Sequence, residues 1–226
     1  MAIQGVIPST GSKLVQLEKN ASNSNGNLVT NSNSNNSVAS TTATVNSEIH
    51  PLHYTWTFWF MHRPPGQKIT NYEESMKRIA SFSSIEDFWA VYSHLRRPSD
   101  LPTISDYHLF KHGVRPVWED PENITGGKWL IRIKKGLASR YWESLVLAII
   151  SDQFEVGNEV CGAVLSIRLN EDIISVWNKT AKDQEITGKI RDTLKKVLEL
   201  PAETVIGYKT HDDALKDNSS FRNTTL

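Results

Sequence analysis

The sequence predicts an α+β domain: a curved, largely antiparallel sheet with helices packed on one face. Three observations carry that expectation. Short runs with two-residue alternation are joined by hairpin-like connections, as in "VCGAVLSIRL" and "IISVWNK" around the turn "NED". Three longer runs carry helical spacing and lie between the strands rather than alternating regularly with them. The strand runs mix apolar and polar residues, as expected when one sheet face is solvated.

Each element has its own signal. "HYTWTFWFM" (53–61) places Tyr54, Trp56, Phe58 and Phe60 on one strand face. "SMKRIASF" fits a short helix or a strand equally well. "SSIEDFWAVYSHL" (83–95) opens with a serine cap and an acidic first turn, then spaces Ile85, Phe88, Trp89 and Tyr92 as a helix does. "YHLFKHG" reads as a short strand, and "GKWLIRIKKG" alternates Trp129, Ile131 and Ile133 with Leu130, Arg132 and Lys134. "SRYWESLVLAIIS" (139–151) is the second helix, and "DQEITGKIRDTLKKVLEL" (183–200) the third, stopped by Pro201. "VIGYKTH" is the last strand. Residues 1–48 include an Asn/Ser/Thr-rich stretch that cannot bury enough apolar surface to offset ordering, so a disordered tail is expected there. The domain is expected over 49–215, with a flexible tail over 216–226.

The 226 residues suit one domain with tails, and 38% hydrophobic content is enough for a core. A net charge of +0 argues against broad binding along a nucleic-acid backbone but not against a site for one nucleotide. The single cysteine, Cys161, excludes an internal disulfide and lies in an apolar run, as a buried small residue does. No signal-peptide pattern opens the chain, and no apolar run approaches the roughly 18 residues of a membrane span. A cytoplasmic location is expected, with the nucleus and RNA granules left open. No phosphate-loop, dinucleotide, zinc or serine-elbow motif is present, so neither a cofactor nor a catalytic residue is expected. His108 and His112 straddle a strand end, which makes a poor metal pair.

Tryptophan carries the positive signal. Of seven, Trp56, Trp59 and Trp142 read as core residues within strands or helices. Trp118 differs. It sits in "RPVWEDPENITGGKW", which has turn residues and no period. It is either a plug over the core or an exposed stacking platform. Its neighbour Glu119 is an acceptor-only carboxylate, the group that matches the adjacent N1 and N2 donors of guanine. A 7-methylated, positively charged guanine would add a cation–π contribution to stacking and strengthen the carboxylate bonds.

Five blocks in order, "HPLHYTWTFWF", "SIEDFWAVYSHL", "KHGVRPVWEDPENITGGKW", "CGAVLSIR" with "IISVWNKTA", and "VIGYKTHDDALK", resemble the translation initiation factor 4E family, which binds the mRNA 5′ cap. "RPPG", "NYEES", "GLASRYWE" and "EDIISVWNKTA" resemble its divergent branch, which includes the animal 4E-homologous protein and the plant novel cap-binding protein. The resemblance implies an eight-stranded cup with three helices on its convex face, acting as a non-enzymatic monomer that initiates or represses translation. It implies base stacking by Tyr72 and Trp118, guanine recognition by Glu119, an N7-methyl pocket at Trp177 and phosphate contacts from Lys128 and Arg168. It also implies that His50, Pro51, Ile85 and Trp89 grip a scaffold or repressor helix bearing a Tyr-x-x-x-x-Leu-hydrophobic motif. Without the resemblance, Ile85, Phe88, Trp89 and Tyr92 all read as core. Tyr72 replaces the second family tryptophan, Lys128 the usual arginine, and Asn170 and Ile173 the hairpin lysines, beside Glu171 and Asp172. These departures imply a weaker cap complex. The competing classes are a hydrolase acting on capped or methylated guanine nucleotides, and an interaction module without a cap pocket.

Overall fold

The computed structural model describes residues 48–64, 66, 67 and 72–219. The expected N-terminal tail lies almost wholly outside this range, as does most of the C-terminal one. The elements run β1 (Pro51–His62), α1 (Tyr72–Ser75), β2 (Lys77–Ser84), α2 (Ile85–Tyr92), β3 (Ser105–Lys111), β4 (Gly127–Ile133), α3 (Ala138–Ile150), β5 (Val160–Ile167), β6 (Asp172–Asn178), α4 (Gln184–Val197), β7 (Ile206–Thr210) and α5 (His211–Lys216).

The strands form one sheet in the order β2-β1-β3-β5-β6-β4-β7, every pair antiparallel. Among the described residues the sheet therefore has seven strands, not the eight implied by the family resemblance; the residue patterns themselves give six and leave a seventh open between strand and helix. The long loop after β3 makes no further strand because it satisfies its own backbone. The Asp120 carboxylate accepts from the Arg115 and Glu122 amides, and Asn123 Nδ2 donates to the Arg115 and Val117 carbonyls.

The ambiguous segment is β2. Phe82 pairs with Trp56 across the ladder and sends its ring into the core, 5.4 Å from Phe58 and from Phe88. A helix over the same residues would forfeit that ladder. α2 begins where expected: the Ser84 side chain caps it by accepting from the Asp87 amide. Asp183 caps α4 in the same way. No pattern in the sequence announces α5, whose Thr210 cap continues straight out of β7.

One sheet face carries the core. Trp56, Phe58, Tyr107, Leu109, Trp129, Ile131, Ala163, Leu165, Ile174 and Val176 pack there with Phe88 of α2, Trp142, Leu145 and Ile149 of α3, and Ile190 and Leu194 of α4. Burying a large apolar side chain contributes about 1.5–3 kcal/mol, so this face is what holds the three longer helices on the sheet. Among the described residues, no helix is long and apolar enough to cross a membrane.

Candidate functional site

Strand alternation sends every second side chain to the face away from the helices. There, Met61 of β1, Asp106 of β3, Val164 and Ser166 of β5, Ser175 and Trp177 of β6 and Lys128 of β4 line a cavity of about 580 Å³. Tyr72, Glu73, Arg115, Val117, Trp118, Glu119, Arg168 and Asn218 complete its walls and rim. All six residues implied for a nucleotide site thus converge on one cavity, from α1, the loop after β3, strands β4 and β6, and the turn after β5.

Trp118 is partly buried rather than a plug. It rests on the small cluster Phe110, Val114, Cys161, Val164 and Trp177, beside the cavity. Glu119, next to it, is exposed and also lines the cavity. Tyr72 is 43% exposed and comes from the first residue of α1. Two contacts join the segments that carry these rings. Arg115 donates to Glu73 at 2.9 Å and, through Nε, to Asp120 at 3.1 Å, so it spans from the Trp118 loop to α1. Beneath it, Val117 packs with Met61, Met76 and Trp59. That corrects the placement of Trp59. It does not share the core face of Trp56, because the two are three residues apart on one strand; it underpins the cavity rim instead.

Trp177 is buried in the cavity wall. Phe110 packs against it at 5.3 Å in an edge-on arrangement, and His211 lies 4.2 Å away. Its indole N–H donates to Ser175 Oγ at 3.3 Å. Lys128 is deeper than a rim phosphate contact would be. It is 2% exposed, with Nζ 5.4 Å from the Trp177 ring centre and 5.9 Å from that of Trp118. The preceding glycines put it there: a Cβ on Gly126 would stand 1.9 Å from the Asn178 carbonyl oxygen, and one on Gly127 would stand 2.5 Å from the Tyr208 hydroxyl. Only glycine lets β4 enter between β6 and β7 at this point. Burial, reinforced by Lys209, brings the Lys128 ammonium down to about 7, with Asp106 acting in the other direction.

Arg168 is anchored. Its guanidinium donates to Asp106 Oδ1 at 2.8 Å and to the Ser105 and Ile167 carbonyls, which leaves its remaining N–H groups for a ligand. The acidic hairpin beyond it is less repulsive than the sequence implies. Asp172 is buried and bound by Lys135 at 2.6 Å, and Glu171 is paired with Arg132. Sequence reasoning missed Asp106, Arg115 and Lys209. Asp106 is an ordinary letter in a strand run; only the sheet order brings it beside Arg168.

Two buried histidines flank the floor. Burial holds His108 down at about 4 and His211 at about 3, so both are neutral near pH 7. A histidine lowered on folding supports the fold above its unfolded value, about 6.5, and loses that support as pH falls toward the folded value. Thermal stability should therefore decline from about pH 6.5 toward pH 4, and His108→Met should flatten the slope. An identical slope in this variant would assign the acid sensitivity to other groups.

The helix-covered side carries a second feature. Phe88 is buried, but Ile85 and Trp89 on the adjoining face of α2 are 44% and 45% exposed. The exposed reading of that face therefore holds. His50 and Pro51 are exposed beside it, and the β1 start is pinned to α2: His50 donates its amide to Glu86, and Ile85 donates its amide to the His50 carbonyl. The side-chain bond from His50 also holds the Glu86 carboxyl down at about 2.

A helix-backed antiparallel sheet, with an aromatic-rimmed cavity over Lys128 on its open face, defines the class: a sheet protein with a cavity shaped and charged to suit a flat ring with an anionic tail. The family model for eukaryotic initiation factor 4E matches residues 51–226. The chain is 51% identical over 178 residues to eukaryotic translation initiation factor NCBP of Triticum aestivum, covering 79% of this chain and 77% of that one. It is 50% identical over 184 residues to eukaryotic translation initiation factor 4E-4 of Caenorhabditis elegans, covering 81% and 87%. Among solved structures it is similar to C. elegans eIF4E-3 in complex with the 4E-binding protein Mextli and a cap analogue (TM-score 0.70, 34% identity, 74% of this chain and 96% of that chain). It is also similar to Ascaris suum eIF4E-3 in complex with the m2,2,7G cap (TM-score 0.70, 34% identity, 79% and 97%). The chain belongs to the eukaryotic initiation factor 4E family.

Proposed function

We propose that this protein binds the 7-methylguanosine 5′ cap of mRNA in the cavity and acts in translation initiation without catalysing a reaction. The observation that carries this is the Trp118–Glu119 pair on a cavity whose floor holds Lys128. Trp118 and Tyr72 stack the base, Glu119 accepts from its Watson–Crick edge, Trp177 walls the N7-methyl group, and Arg168 and Lys128 face the phosphates. The A. suum relative was solved with both the m7G cap and the m2,2,7G cap, which supports the same ligand class here. The exposed Ile85/Trp89 face, with His50 and Pro51, receives a helix from a scaffold or repressor protein; the C. elegans complex with Mextli is in keeping with such a partner. Whether the chain initiates or represses follows from which partner docks there. The proposed site of action is the cytoplasm.

Retention on immobilised 7-methyl-GTP tests the cap site. Release by free 7-methyl-GTP but not by equal GTP is the expected result. Equal release by both would remove the role of the methylated, cationic base.

A further inference from the structure

Lys128 and Lys209 stand directly opposite each other across the β4–β7 ladder, and each is 2% exposed. Residues so paired have Cβ atoms about 4.5–5.5 Å apart, and like charges at that distance destabilise the pair. Here both belong to a chain of net charge +0, and of the two Lys128 also lines the cavity. Trp177 of β6 is the cross-strand partner on the other flank of Lys128. Among the described residues, the charged or titratable groups around the cluster include Asp106 and His108 of β3, Arg168 after β5, His211 of α5 and Asp217 beyond it, with Tyr72, Glu73, Arg115 and Glu119 on the far walls of the cavity. Asp106 accepts from Arg168, Asp217 accepts from Lys209 at 2.9 Å, and both histidines are neutral. Burial and the facing lysine oppose a positive charge on Lys128, and Asp106 favours one.

We propose that Lys128 takes up a proton when the cavity receives the cap phosphates, so that ligand binding is linked to pH. The inference rests on the proposed cap site and goes beyond it. The lone pair of neutral Nζ accepts the proton from the buffer, and the incoming phosphates supply the opposite charge that stabilises the ammonium. In the free protein Lys128 titrates at about 7, so roughly half a proton is taken up per site near pH 7, rising toward one at pH 8. Affinity accordingly falls as pH rises above 7. An arginine at this position cannot titrate in this range.

Calorimetric titration with 7-methyl-GTP at pH 7.5, in two buffers of different ionisation enthalpy, counts the protons. Protons exchanged by the ligand itself are common to wild type and Lys128→Arg and cancel in the difference. Wild type should take up about 0.5–0.8 proton more than the variant. Equal uptake in a binding Lys128→Arg variant would overturn the proposal, whereas no binding by wild type would overturn the cap reading instead. Should Lys128→Arg fail to fold or bind, NMR titration of the Lys128 side chain in wild type decides. The expected result is a midpoint near 7 that moves up with 7-methyl-GTP, and a midpoint above 9 in the free protein would sink the proposal.

Discussion

Trp118→Ala should abolish retention on immobilised 7-methyl-GTP while leaving the domain folded. Base–aromatic stacking contributes about 1–3 kcal/mol, and a cationic base adds about 0.5–2 kcal/mol. Together these correspond to a loss of about tenfold to a few thousandfold. Folding should survive because Trp118 is only partly buried and packs on a small cluster separate from the main core. Glu119→Gln is the companion variant. It keeps the shape, replaces a charged acceptor by an amide, and leaves the floor cations in place. Binding of 7-methyl-GTP should drop at least tenfold, since a hydrogen bond to a charged group contributes about 1.5–3 kcal/mol. A folded Trp118→Ala protein that still elutes specifically with 7-methyl-GTP would place the base somewhere else.

Trp89→Ala should have the second largest effect, on the opposite side of the sheet. The expected result is loss of binding to a helical peptide bearing the Tyr-x-x-x-x-Leu-hydrophobic motif, by at least about 2 kcal/mol, the size typical of a buried interface tryptophan. Binding of 7-methyl-GTP should be unchanged, because the helix face and the cavity lie on opposite faces of the sheet. Thermal stability should change little. α2 is held by Phe88, which is 1% exposed and packed on Phe58 and Phe82, whereas Trp89 leaves 45% of its surface to solvent. Unfolding of the variant would mean that Trp89 is a core residue. Unchanged peptide affinity would mean that the partner docks elsewhere.

Much of the fold is legible in the chain because periodicity is local. The three longer helices fall within a few residues of their expected spans, and the strand runs from "HYTWTFWFM" to "VIGYKTH" are all strands. The weak points share one physical cause. "SMKRIASF" became a strand because Phe82 could reach Phe58 and Phe88, a benefit no local pattern encodes. α5 depends on β7 ending where Thr210 caps the next turn. Trp59 lies off the main core, with Met61, Met76 and Val117, and its letters do not show this, because a bulky residue in an aromatic run looks like core on either strand face.

The cavity divides in the same way. Trp118 and Glu119 are adjacent in sequence and sit in a turn-rich loop, so their pairing could be argued from letters alone, whereas the choice between plug and platform needed the fold. Asp106, Arg168, Lys128 and Lys209 come from three strands and the end of a fourth. Their contacts exist only once β3 lies beside β5, and β4 between β6 and β7. Sequence by itself determined the α+β class, the family, and the aromatic–carboxylate pair, because each is written in short-range spacing. Tertiary structure alone decided that Ile85 and Trp89 face outward, that Arg168 is already held by Asp106, and that Lys128 is buried against a second lysine. Burial and charge proximity are properties of what the sheet brings together, and no neighbouring residue in the chain carries that information.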